Sequence, residues 1–76
     1  MDEVIAILNE IRPGQDFASA ANFFDQGVLD SLDLTALVAA LESRYGVFME
    51  VDEIVGDNFG TLAAIKAILE SKGVEL

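Results

Sequence analysis

Leu34, Leu37, Val38, Leu41 and Tyr45 fall at i, i+3, i+4, i+7 and i+11, and Gly46 follows directly. That period lines them along one side of an α-helix, with glycine in the left-handed position that commonly ends one. A helix with one long apolar stripe has to be covered by other elements, and the chain offers more helices. Val4, Ile5, Leu8 and Ile11 mark a first helix over Asp2 to Arg12, with acids in its first turn and Pro13-Gly14 as its stop. Thr61 stands as the N-cap of a last helix that turns Leu62, Ile65, Ile68 and Leu69 inward and closes at Lys72-Gly73. A short helix is expected near Asp52 to Val55, and strand-like alternation is confined to Val47 to Val51. The fold class is therefore all-α, a small four-helix bundle of three main helices and one short one. A single domain over residues 1–76 is expected.

The first connection, Gln15 to Asp30, is long for so small a domain and has to be tethered. Phe17, Phe23 and Phe24 are the expected tethers, with a turn of helix around Ala18 to Ala21. A chain of 76 residues buries about 60–65% of its unfolded surface, so modest stability is expected. Its 53% hydrophobic content nonetheless supplies a core.

Charge narrows the function classes. Fourteen acids face four bases, for a formal net charge of −10. Between Pro13 and Ile65 the one base is Arg44, against Asp16, Asp25, Asp30, Asp33, Glu42, Glu50, Asp52, Glu53 and Asp57. Such a surface repels nucleic acid and anionic lipid, attracts basic protein partners and disfavours self-association, so a monomer without nucleic-acid binding is expected. Cysteine is absent, which removes disulfides and thiolate metal sites and fits a reducing compartment. Met1-Asp2-Glu3 does not open a secretory signal, and no apolar run spans a membrane; the expected location is the cytoplasm.

Catalysis is argued against by the absence of histidine, since a serine nucleophile needs a nearby base. The acids lack the spacing and mid-loop glycine of a calcium loop, and no glycine-rich phosphate loop is present. Ser31 still calls for a reason, because it stands between Asp30 and Leu32 where the second helix begins. Either Asp30 or Ser31 can cap that helix, which is a purely structural duty. The other reading makes the serine hydroxyl a substrate, exposed at a helix tip where a phosphate ester is favoured by the free N–H groups and the dipole. Leu32 lies about 200° from Leu34 around the helix and so falls off the core stripe, beside that serine.

The stretch "FFDQGVLDSLDLTALVAALESRYGV" resembles the attachment segment of acyl and peptidyl carrier proteins, with Asp30-Ser31-Leu32 matching their Asp-Ser-Leu signature. The resemblance extends to Phe24-Asp25, Gly27 and "NFGTLAAIKAIL" at Asn58 to Leu69, and so covers essentially the whole chain. It implies that a phosphopantetheinyl transferase moves 4′-phosphopantetheine from coenzyme A onto Ser31. The arm's thiol would then hold an acyl or aminoacyl group as a thioester and present it to partner enzymes. The carrier itself needs neither cysteine nor histidine. The implied partner face comprises Asp30, Leu32, Asp33, Thr35, Ala36, Ala39 and Glu42, with no catalytic residue and no metal ligand.

Carriers of fatty-acid synthesis usually set several acids along this helix and a single apolar residue between the glycine and the Asp-Ser pair. Here Val28 and Leu29 intervene, and Thr35, Ala36, Ala39 and Ser43 are small or neutral. The chain thus resembles discrete D-alanyl and other aminoacyl carriers, which implies loading by an adenylate-forming ligase and service to downstream transferases. A non-carrier acidic adaptor for basic partners, or a degenerate carrier, predicts the same fold. Modification at Ser31 separates them.

Overall fold

The computed structural model describes residues 1–76. The long apolar stripe forms α2, Ser31–Tyr45, with Leu37, Val38 and Leu41 buried and Leu34 and Tyr45 packed at the core's edge. Gly46 ends it at φ 65°, ψ 34°, where its N–H donates to the Glu42 carbonyl oxygen at 2.9 Å. Few other residues adopt that left-handed conformation without strain.

α1, Asp2–Ile11, packs along α2 through Val4 and Leu8, both buried. Ile7 and Ile11 join them at the core's edge, whereas Ile5, expected in the stripe, is half-buried outside it. Val4, Ile7, Leu8 and Ile11 follow the i, i+3, i+4, i+7 pattern more faithfully than the set with Ile5, because one step of about 100° swings Ile5 off that face. The helix also ends one residue before Arg12. Arg12 precedes Pro13, whose ring disfavours helical backbone in the residue before it, and it sits at φ −136°, ψ 85°. At the far end Arg44 pairs with Glu3 at 2.7 Å, both about half exposed, so this pair contributes little to stability. Desolvation, then the Glu3 charge, pushes the neighbouring Tyr45 hydroxyl above its ordinary pKa.

Two of the three expected aromatic tethers are deeply buried. Phe17 and Phe23 meet edge to face at 5.4 Å, and Phe24 is half-buried. Residues 17–19 make a turn, and no helix forms around Ala18 to Ala21. The connection is held by backbone as well as by rings. The Phe23 N–H donates to the Gly60 carbonyl oxygen at 2.7 Å, and the Leu29 N–H donates to that of Phe23 at 3.0 Å. Asn22 Oδ1 accepts from the N–H groups of Phe24 and Asp25, at 3.0 and 3.1 Å. Leu29 is buried immediately before the start of α2.

The short helix expected near Asp52 to Val55 is instead two pieces, a 3₁₀ turn at Val51–Glu53 and α3 at Gly56–Phe59. Glu53 draws the turn one residue earlier, since its Oε1 accepts from the Glu50 N–H at 2.8 Å and from Lys72 Nζ. The Lys72 hydrogen bond, seconded by the Glu50 N–H, holds the Glu53 carboxyl below its ordinary pKa. Asn58 Nδ2 donates to the Glu53 carbonyl oxygen at 2.9 Å, joining the turn to α3. α4, Leu62–Ser71, is capped by Thr61 Oγ1, which accepts from the Ala64 N–H at 3.0 Å. It buries Ile65, Ile68 and Leu69, with Leu62 at the edge, and closes through Gly73 as the sequence implies.

Gly60 is buried where α3 crosses the first connection. A Cβ there would overlap the Asn22 amide nitrogen and stand 2.8 Å from the Gly56 carbonyl oxygen. Asn22 cannot withdraw freely, because its other amide atom organises the turn that follows. Gly60→Ala is expected to destabilise the protein by about 1–3 kcal/mol, the usual range for overpacking. Urea denaturation checks it; an unchanged midpoint contradicts this account of the crossing.

Candidate functional site

Arg12, freed from α1 by Pro13, reaches the start of α2. Its Nε donates to Asp33 Oδ2 at 2.8 Å and its Nη2 to Asp30 Oδ2 at 3.1 Å. The two aspartates also cap the helix reciprocally. Asp30 Oδ1 accepts from the Asp33 N–H at 2.9 Å, and Asp33 Oδ2 accepts from the Asp30 N–H at 3.0 Å. This is a capping box with aspartate in the position that glutamate usually takes. Asp30, not Ser31, is therefore the N-cap, and it resolves the two structural readings of the pair.

Ser31 is the first residue of α2 and is exposed. No hydrogen bond engages its Oγ; its carbonyl oxygen accepts from Thr35 Oγ1 at 3.2 Å. Leu32 beside it is 79% exposed, the side chain of a large aliphatic residue presented to solvent. Isolated exposed leucines are common, so it is the adjacency to an idle hydroxyl that gives Leu32 weight. The carboxylates nearest in sequence are both tied to Arg12, and the chain holds no histidine, so nothing here activates the hydroxyl as a nucleophile. The arrangement suits a group that another enzyme modifies.

The sequence-predicted residues divide into two kinds. Ser31, Leu32, Thr35, Ala36 and Ala39 are exposed on the outer side of α2. Asp33 and Glu42 are engaged by the fold. Only 14% of the Asp33 side chain is exposed, and Glu42 Oε2 accepts from the Met49 N–H at 2.9 Å, which holds the segment after α2 in place. Asp30 is intermediate, with its side chain 56% exposed but hydrogen-bonded on both oxygens. Arg12 is the residue that sequence reasoning missed. Its one local signal was a base standing directly before Pro13 in a strongly acidic chain.

The chain matches the family model described as "Phosphopantetheine attachment site" over residues 2–69. It is 35% identical to a D-alanyl carrier protein of Leuconostoc citreum, an alignment covering 92% of this chain and 91% of that protein. A D-alanyl carrier protein of Lactiplantibacillus plantarum is 33% identical, covering 90% of this chain and 86% of the relative. The lincomycin biosynthesis protein LmbN of Streptomyces lincolnensis is 39% identical over 88% of this chain, which spans 25% of LmbN. No solved structure gives a significant match.

The cap has a pH signature. The Asp33 N–H, reinforced by the Arg12 charge and the Leu32 N–H and opposed by partial desolvation, holds the Asp30 carboxyl below its ordinary pKa of 3.8. A carboxyl lowered on folding stabilises fully above its unfolded pKa, and that stabilisation is lost as the pH falls through the folded value. Asp30→Asn should therefore melt below wild type at neutral pH, with the gap narrowing under acid conditions below 3.8. Melting temperatures across a pH series check this; a gap that is constant or widens toward acid contradicts it.

Proposed function

This chain belongs to the phosphopantetheine attachment-site family, and we propose that it carries its 4′-phosphopantetheine arm on Ser31. It is a carrier, not an enzyme, as are the relatives named as carrier proteins. The observation that supports Ser31 as the attachment point is its idle hydroxyl. Asp30 and Asp33 perform the capping, so derivatising Oγ removes no hydrogen bond from the fold. The residues fit the group in a second respect, because a phosphodiester on Ser31 would lie at the positive end of α2. When bound, the arm supplies the thiol that holds cargo as a thioester. Ser31 fixes one end of that arm, and Leu32 offers partners an apolar contact next to it.

The cargo is an aminoacyl or acyl group loaded by an adenylate-forming ligase, a reading supported by the likeness to D-alanyl carriers. Leu32, Thr35, Ala36 and Ala39 give that ligase a small, neutral, partly apolar face. Asp30 adds a half-exposed carboxylate, while Asp33 and Glu42 contribute mainly by holding the face in shape. Downstream transferases meet the same face. Residues 1–76 act as one carrier domain, monomeric and cytoplasmic; a net charge of −10 opposes self-association, and no helix is long and apolar enough to cross a membrane.

Incubation with coenzyme A, magnesium and a broad-specificity phosphopantetheinyl transferase should add one phosphopantetheine to wild type and none to a folded Ser31→Ala protein. Intact-mass spectrometry with peptide mapping reads the result. No adduct from several transferases, or an adduct on another serine, refutes the attachment point and favours an acidic adaptor instead.

A further inference from the structure

The charge beside Ser31 is set from a distant part of the chain, just past the end of α1. Arg12 lies 18 residues before Asp30 and 21 before Asp33, and it is the one basic side chain ahead of Arg44. Its guanidinium places one N–H on each carboxylate. Asp33 Oδ2 thereby accepts from both Arg12 and the Asp30 N–H, and both oxygens of Asp30 accept, one from Arg12 and one from the Asp33 N–H. The three residues together carry a formal charge of −1 in place of −2. A planar guanidinium can divide its donors between two acceptors, which the single ammonium of lysine does less well. Arg12 itself is 42% exposed, so the positive charge also reaches the surface a partner meets.

We propose that Arg12 is a positioning residue that sets partner specificity at Ser31. It holds the two aspartates near the serine and halves their net charge, so that a client meets Leu32 and a rim of reduced negative charge. Without Arg12 the capping hydrogen bonds would remain, but the same helix start would present two uncompensated negative charges to a basic client, which steer encounter and pair across an interface. The proposal rests on Ser31 being the attachment point. Arg12 makes no hydrogen bond to the serine and acts through Asp30 and Asp33.

The test is steady-state kinetics of phosphopantetheine transfer by a transferase with a basic carrier-binding face, in a salt series. The full chain is used as wild type, Arg12→Gln, Arg12→Lys and Arg12→Gln with Asp30→Asn. At low salt Arg12→Gln should lower KM roughly twofold to fivefold, the scale of an exposed ion pair, with kcat little changed. The gain should fade toward 1 M salt, where the screening length is about 3 Å. Adding Asp30→Asn should remove most of it, and Arg12→Lys, which keeps the charge, should restore a KM near that of wild type. A KM that is unchanged, or changed equally at every salt concentration, overturns the proposal, as does a fall in kcat alone. Arg12→Met, which keeps the apolar stem, replaces Arg12→Gln if circular dichroism shows the latter unfolded. Wild type is mapped first: no modification at Ser31 overturns the attachment point and this proposal with it. Modified wild type with salt-independent variants overturns the role of Arg12 alone.

Discussion

The hydrogen bonds among Arg12, Asp30 and Asp33 fix where α2 begins, and the rest of the site follows from that start. A helix leaves its first N–H groups unpaired, and a serine at its start would ordinarily be recruited to satisfy one. Here two aspartates satisfy each other's backbone, and an arginine just past the end of α1 neutralises part of their charge. The serine one position later is left without structural duty. Pro13 belongs to the same device, since it expels Arg12 from α1 and sends its side chain toward α2.

That local device works because the core sets the helices it joins. Val4 and Leu8 of α1 pack into the same core as Leu37, Val38 and Leu41 of α2, so the end of one helix stays close to the start of the other. Leu29, buried directly before Asp30, anchors the chain as it enters the site. The long connection between them is pinned from the opposite side by the Phe23 N–H on Gly60 and by the edge-to-face pair Phe17 and Phe23. No charged side chain is buried in this core, so the acids stay at the surface, where they repel one another. The outer side of α2 departs from that acidic exterior, since Leu32, Thr35, Ala36 and Ala39 are exposed there and uncharged.

Much of this was legible in the sequence because it depends on near neighbours. The stripe from Leu34 to Tyr45, the Gly46 terminator and the Thr61 cap each involve residues within about one helical turn of their partners. The Asp30-Ser31-Leu32 triplet was legible for the same reason, although composition alone left open which of Asp30 and Ser31 makes the cap. What the sequence concealed involves longer range. Arg12 meets residues 18 and 21 positions away, and no local pattern distinguishes it from a solvated surface base. Glu42 reads as an outward acid from helical spacing, yet the chain turns after Gly46 and brings the Met49 N–H to it. The short helix was misplaced because Glu53 answers to Lys72 on α4 as well as to Glu50. The exchange of Ile5 for Ile7 has a simpler, local cause: Ile7 keeps the helical spacing of Val4, Leu8 and Ile11, and Ile5 lies one step of about 100° off that face.

If Arg12, Asp30 and Asp33 build the serine end of α2, Ser31 can be derivatised without cost to the fold. Amide nitrogen–proton NMR spectra of the unmodified and phosphopantetheine-bearing protein, with hydrogen exchange at the Asp33 N–H, test it most directly. Shift changes should be confined to Ser31 and its immediate neighbours, with the Asp33 N–H equally protected in both forms. Loss of that protection on modification, or shift changes running the length of α2, would contradict it.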